Sequence, residues 1–426
     1  MKIFILTHSD IMDKVGGAIS VFFSMCDTFI QAGHIVICAC EAEGNRRPKP
    51  LNDNARFYCI QEDYSKSVNE IVACENPDII IFYFIDFYIN AKLGPSFDNI
   101  PRILMFHSRP DVYLSRSFTR ELRKVYKNTT SQVLCDSYRQ LLPTYIRNGS
   151  VVTIPNAVSI PSKVTNLSVE HKKIIYFSRI DQWKGCEQLI NSFALIAGKY
   201  PEWTVDVYGQ CQNPDYHKKL IKQIELYGIQ KQFHLCGLSE NKETVFFDYD
   251  FCVFPSFFEG FSVGLAETLS YGLPCIGFKC SSGINEIIVD GANGILCDFT
   301  NESLSEAMER LILDKELRIR MGFQARISVE PYAKSTIENM WLDLIRNVAH
   351  KTENNLLPFK SIKRLGENNI KFCSQYNVKK FKQLYKNHPG LYWTGICLRD
   401  DFIFSISMLI HVCPLKVVDG IYKFNN

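Results

Sequence analysis

No stretch of this 426-residue chain reaches the ~20 consecutive apolar residues that a membrane-spanning helix requires. The nearest, FIFSISMLIHVCPL at 402–415, is short and broken by polar residues. The opening MKIFILTHSD has too brief an apolar stretch for a secretory signal and reads as a first strand. No two of the 16 cysteines form a CxxC, and none stands at zinc-finger spacing. Cys38 and Cys40 in HIVICAC, like Cys252 in YDFCVFPS, sit in apolar runs. Such cysteines act as small hydrophobes and suit a reducing compartment better than a secreted disulfide framework. The expected location is therefore the cytoplasm. A surplus of one charge is also missing: 48 Lys and Arg stand against 45 Asp and Glu, a net of +3, which makes no nucleic-acid footprint. That sum conceals an asymmetry, because residues 351–426 hold 12 basic and 5 acidic side chains.

What is present is the make-up of a packed protein, 46% hydrophobic and 22% charged, long enough for two domains. Strand and helix signals alternate, as in α/β proteins with parallel sheets. KIFILT at 2–7 is a short continuous apolar run, as a buried parallel strand requires. A Gly16–Gly17 turn follows, then a helical pattern over 18–32 stopped by Gly33, and a second strand over 34–40. Further strands are expected at 78–85, 102–106 and 132–135. Residues 155–170 lose periodicity and gather Pro, Ser and Asn, the mark of a linker. The pattern then restarts with strands at 173–178, 204–208, 232–235, 250–254 and 274–278, and helices at 185–199, 216–227 and 262–271. Helical patterns at 301–327 and 335–350 come next. The fold class expected is α/β, with two Rossmann-like doubly wound domains facing across a cleft and a C-terminal extension of unassigned fold. The domains are 1–158 and 159–334, followed by a helix at 335–350 that crosses back to the first and a basic extension at 351–426.

Doubly wound sheets bind ligands at the carboxyl ends of their strands, so the polar, Gly-containing loops after strands are the places to look. PSFFEGFSVGLAETLSYG at 255–272 follows the strand at 250–254. Its Gly260 to Val263 region opens a helix, whose N–H groups favour an anion such as a pyrophosphate. Glu259 before the helix and Glu267 within it supply acceptors for vicinal hydroxyls. In YFSRIDQWKG, Arg179 and Lys184 flank the loop after the strand at 173–178, placed to neutralise a diphosphate. The Gly16–Gly17 turn permits close backbone approach to phosphate, although it is not a GxGxxG motif. His107 ends the strand in RILMFHSRPD, within reach of a sugar hydroxyl if a sugar binds there. Each feature alone is ordinary, since loop cations are usually just solvated and a lone His is usually structural. Their joint occurrence after successive strands describes a nucleotide-sugar site.

These pieces, in this order, resemble the family 4 retaining glycosyltransferases of GT-B fold. The resemblance covers residues 1–350 and is carried by GGAISVFFSMCDTFIQAGHIV, PNAV at 155–158, SRIDQWKG, FFEGFSVGLAETLSYGLPCIGF and SSGINEIIVDGANGILCD. It implies transfer of a hexose or N-acetylhexosamine from a nucleotide-diphosphate sugar, UDP favoured over GDP, to a saccharide acceptor without a metal ion. By the same resemblance Glu259 contacts donor sugar hydroxyls and Glu267 the ribose, while Arg179 and Lys184 bind the diphosphate. Backbone N–H groups of Gly17, Gly260, Phe261 and Ser262 assist them. His107 then sits over the sugar near its anomeric carbon, and the nucleobase rests near Gly209 and the loop after Cys236–Gly237. The chain departs from the family pattern at Ala157, Ser178 and Thr268, and none of these removes a charged group. A GT-B nucleotide-sugar epimerase and a non-catalytic homologue that binds glycan or a sister enzyme are the alternatives. The setting implied is cell-surface polysaccharide or lipopolysaccharide biosynthesis.

YLSRSFTRELRKVYK at 113–127 carries five cations against Glu121, with apolar residues interleaved at partly helical spacing. It reads either as an interfacial helix drawn to anionic lipid, helped by the basic tail, or as a solvated face packed on its own core. The first reading implies peripheral contact with the inner face of the cell membrane and a lipid-linked acceptor.

Overall fold

The apolar runs of the first half become the strands of a single sheet. The computed structural model describes residues 1–7, 17–41, 55–60, 63–114, 116–239, 241, 244–279 and 282–350, together with four short strands beyond residue 393. The first unit contains Met1–Pro155 and takes up the chain again from Glu338. Its strands are β1 (Lys2–Thr7), β2 (Ile35–Glu41), β3 (Ala55–Ile60), β4 (Ile79–Phe82), β5 (Arg102–Phe106), β6 (Thr129–Val133) and β7 (Ser150–Thr153). They lie in the order β3-β2-β1-β4-β5-β6-β7, every pair parallel. The helices are α1 (Gly17–Gln31), α2 (Tyr64–Glu75), α3 (Ile85–Asn90), α4 (Pro110–Tyr113), α5 (Arg116–Val125) and α6 (Thr144–Arg147). The inner strands β1, β4 and β5 are buried over nearly their whole length, as a parallel sheet covered on both faces demands.

The second unit spans Asn156–Ile337 in the described part of the chain. It holds β8 (Lys173–Phe177), α7 (Cys186–Ala194), β9 (Thr204–Tyr208), α8 (Pro214–Leu226), β10 (Phe233–Gly237), β11 (Phe251–Phe254) and α9 (Val263–Ser270). There follow β12 (Cys275–Phe278), α10 (Ser282–Ile287), β13 (Gly294–Cys297), α11 (Asn301–Leu313) and α12 (Lys315–Ser328). The sheet order is β10-β9-β8-β11-β12-β13, again parallel throughout. Chain order reverses between β8 and β11, so this is the topological switch point of the unit. Its core is built from Tyr176, Phe193, Trp203, Val205, Phe251 and their neighbours.

A last helix, α13 (Lys334–Ala349), carries Trp341 against Phe29 of α1, ring centroids 6.5 Å apart. The extension, which shows no strand–helix repeat in sequence, contributes two antiparallel pairs, β14 (Thr394–Cys397) with β15 (Phe404–Ser407) and β16 (Leu415–Val418) with β17 (Ile421–Phe424). Among the described residues no helix is long and apolar enough to cross a membrane.

Two expectations need amendment. Cys252 is more than a small hydrophobe: it faces Cys275 in the β11–β12 register and is disulfide-bonded to it inside the core. The helical pattern at 301–327 divides at Asp314, whose side chain accepts from the Leu317 N–H at 2.8 Å and starts α12.

Candidate functional site

The loop after β8 is shaped from below and from within. Tyr176, fully buried, donates its hydroxyl to the Arg179 carbonyl at 2.9 Å, with the Lys184 carbonyl next at 3.4 Å. Asp181 accepts the Trp183 and Lys184 N–H groups at 2.9 and 3.1 Å, an Asx-type turn that delivers the chain into α7. The loop after β11 is tied to it by the Phe257 N–H, which donates to the Trp183 carbonyl at 2.8 Å. Gly185 stands where the two loops meet, with φ at +73°, and a Cβ there would fall on the Pro255 carbonyl. A side chain at 185 is therefore excluded by both conformation and space.

On this framework Lys184 Nζ reaches Glu259 Oε1 at 2.7 Å, with side-chain exposures of 15% and 6%. Ser256 donates to the same carboxylate oxygen at 2.9 Å. Arg179 is different: its guanidinium is 62% exposed and lies 3.8 Å from Asp181. The charges of Lys184 and Glu259 cancel, as do those of Arg179 and Asp181, which leaves the N-terminus of α9 as the uncompensated positive end here. Gly260, Phe261 and Ser262 lead into that helix. Ser262 is its N-cap, and the buried Phe261 ring packs edge-on against Tyr332 with centroids 5.1 Å apart. Glu267 lies one turn into α9 and is half-buried. Thus Arg179, Lys184, Glu259, Glu267 and the 260–262 backbone all come from two adjacent loop–helix junctions at the carboxyl ends of β8 and β11. Gly209 follows β9 and Gly237 ends β10, joined by a Gly209 N–H to Gly237 carbonyl bond of 2.7 Å.

His107 belongs to the first unit, directly after β5. Its ring packs on Tyr83 and Phe84 with centroids 4.1 and 5.1 Å away. Burial pushes its pKa down to about 4, against a hydrogen bond from a ring N–H to the Tyr83 backbone carbonyl that favours protonation, so the imidazole is neutral near pH 7. Its Nε2 is covered and has no hydrogen-bond partner among the described residues. Gly17 opens α1 in the same unit; Gly16 lies outside the described residues.

Tyr176, Asp181 and Ser256 were not singled out by sequence reasoning. Asp181 had a visible signal, an Asp two residues before a helix-leading Trp-Lys-Gly. Tyr176 reads as one more core aromatic.

In α5 the buried Leu122 faces its own unit, while Arg120, Glu121, Arg123 and Lys124 are exposed. Lys124 pairs with Glu121 at 2.7 Å and Lys127 with Asp98 at 2.8 Å, and Arg123 lies 5.7 Å over the Tyr145 ring. The side chains of 113 and 115–117 and those of the basic tail lie outside the described residues.

Residues 161–328 match the sequence model of the family described as "Glycosyl transferases group 1". An "Uncharacterized glycosyltransferase" of Haemophilus influenzae is 23% identical over 295 residues, 68% of this chain and 82% of that protein. The "Poly(glycerol-phosphate) alpha-glucosyltransferase" of Bacillus subtilis is 27% identical over 179 residues, 42% of this chain; the alignment spans about a quarter (26%) of that longer protein. Among solved structures, Anabaena Alr3699/HepE in complex with UDP superposes with a TM-score of 0.68 at 17% identity, covering 82% of this chain and 100% of that one. The fold class is thus α/β with two parallel sheets, shared with glycosyltransferase structures of GT-B type. The family match supports the group 1 glycosyl transferase superfamily and, with the relatives, glycosyl transfer.

Proposed function

We propose that this chain is a retaining glycosyltransferase that moves a hexose or N-acetylhexosamine from a nucleotide-diphosphate sugar, UDP preferred, to a saccharide acceptor. The observation that carries the reading is the sheltered Lys184–Glu259 pair at the switch point between β8 and β11. An arriving diphosphate takes Lys184 Nζ and Arg179 as donors, with the N–H groups around Gly260, Phe261 and Ser262 at the positive end of α9. Glu259, released from Lys184, accepts from sugar hydroxyls, and Glu267 from the ribose. The base rests by Gly209 and Gly237. As the anomeric C–O bond breaks, its electron pair moves onto the β-phosphate and positive charge grows on the ring. Cationic donors fixed before the reaction stabilise that charge without reorganisation, each worth ~3–4 kcal/mol of transition state. In this reading they act in place of a metal ion. Attack from the leaving-group face, with the phosphate taking the acceptor proton, retains configuration.

Incubation with a donor panel and an added saccharide acceptor, followed by NMR of the product anomeric centre, tests this reading. A product with the donor's anomeric configuration is expected. An inverted product contradicts retention, and donor isomerisation without transfer returns an epimerase.

The acceptor is proposed to be lipid-linked, within polysaccharide or lipopolysaccharide synthesis at the inner face of the membrane. With Leu122 turned inward, what α5 offers a bilayer is charge, from Arg120, Arg123, Lys124 and nearby Lys127. Flotation with anionic vesicles at low salt, lost at high salt, is expected; equal flotation with neutral vesicles contradicts it.

A further inference from the structure

One face of the β9–β10 edge is polar where an edge strand over a core is ordinarily apolar. Asp206, only 8% exposed, lies in the middle of β9. Its Oδ2 accepts from the buried Tyr249 hydroxyl at 2.7 Å, and its Oδ1 is 2.7 Å from Nδ1 of His234 on β10. The carboxylate requires the Nδ1 tautomer of that ring to be the protonated one. The period of two along a strand puts Tyr208 on the same face, and its hydroxyl stands 3.4 Å from that of Tyr249. One buried carboxylate therefore links β9, β10 and the segment entering β11.

The ladder runs towards a particular place. Tyr208 immediately precedes Gly209, and Gly237, the last residue of β10, is bonded to Gly209. The β9–β10 register shifts between Leu235 and Gly237, an irregularity that re-aims the end of the edge strand. Gly209 itself is held so near the Ser178 carbonyl that a Cβ would collide with it. Among the described strands β10 pairs with β9 alone, so its carboxyl end is held by that one ladder, by the Gly209–Gly237 bond and by these side-chain bonds. A buried carboxylate contributes little stability that a Val or Leu would not supply, because desolvation offsets much of its bonding. What it adds is a defined position.

We propose that Asp206, held by Tyr249 and His234, is a positioning residue for the nucleoside end of the donor: it sets the Gly209–Gly237 loop pair against which the base rests. The inference depends on the nucleotide-sugar reading above. It locates part of donor selectivity beneath the loops instead of in them. Losing the network weakens nucleotide binding and leaves the chemical step, which belongs to Lys184, Arg179 and Glu259, largely untouched.

The test is calorimetric titration of the full chain with UDP, GDP and ADP, paired with donor KM and kcat, for wild type, Tyr249→Phe, His234→Ala and His234→Gln. Tyr249→Phe keeps the ring and removes only the donor. His234→Gln keeps an N–H within reach of Asp206. Expected are a rise of about fivefold in Kd and KM for the preferred nucleotide in Tyr249→Phe and His234→Ala, kcat within twofold, and recovery towards wild type in His234→Gln. Unfolding midpoints measured alongside separate positioning from damage. Wild-type binding with all three variants within twofold of it overturns the inference and spares the donor reading. So does a fall in kcat at unchanged KM. Failure of wild type to bind any of the three nucleotides overturns both.

Discussion

The loops after β8 and β11 and the turn after β5 solve different electrostatic problems. In the first pair, charge is held in place by charge. Lys184 and Glu259 are sheltered, matched at 2.7 Å, and mounted on backbone that Tyr176, Asp181 and the Phe257 N–H hold down. After β5 no described residue sets a countercharge on His107; two aromatic rings pack on it and desolvation keeps it neutral. The comparison shows two ways of preparing a polar group. A preformed ion pair is ready to exchange partners with an anionic ligand, whereas a neutral imidazole bonded to backbone and packed under aromatic rings is poorly suited to gaining a proton.

The largest effect expected is on turnover. Lys184→Ala and Glu259→Ala each remove a group from the pair and should cut turnover at least about a hundredfold, in line with ~3–4 kcal/mol for a preorganised donor. Circular dichroism should show both variants folded; near-normal rates in both dissolve the contrast. Next comes the backbone beneath the pair. Gly185→Val places a side chain onto the Pro255 carbonyl at a left-handed φ, and a loss of about 2–3 kcal/mol is expected from denaturant titration. A loss below ~0.5 kcal/mol means the two loops are not locked together.

A smaller effect separates the His107 turn. Its pKa is depressed relative to the unfolded chain, so the unfolded state binds the proton more readily. The stability it contributes is complete above about pH 6.5 and falls away as the pH drops towards about 4. Thermal midpoints of wild type and His107→Asn should therefore converge over that interval; parallel curves contradict a desolvated, neutral ring. The smallest effect expected is that of a chelator, which should change transfer by less than twofold if side chains and helix N-termini do the work of a metal. Loss of transfer with EDTA, restored by Mg²⁺ or Mn²⁺, contradicts that part of the proposal.

Much of this contrast was legible in sequence. β1 and β5 fall where short apolar runs place them, because strands buried on both faces need long stretches of Ile, Leu, Phe and Met; β9, TVDVY, falls where expected although Asp206 interrupts it. β3 and β7 were missed for the converse reason: ARFYCI is only partly buried and SVVT is four residues long, both at sheet edges. The break at Asp314 has neither Gly nor Pro to announce it. The Cys252–Cys275 bond, 23 residues apart, is visible only once β11 and β12 are in register. The charged residues of the candidate site could be named because they follow strands; that Lys184 and Glu259 hold each other could not, since the two loops meet only through the parallel order of β8 and β11.

The central claim is that this junction receives a nucleotide-diphosphate sugar, and thermal shift with a panel of UDP-, GDP- and ADP-sugars on wild type and Lys184→Ala tests it most directly. A ligand at ~100 times its Kd should stabilise the folded chain by ~2.7 kcal/mol. One donor should raise the wild-type midpoint, and the rise should largely vanish in Lys184→Ala. A panel with no effect on wild type, or an undiminished rise in the variant, contradicts the claim.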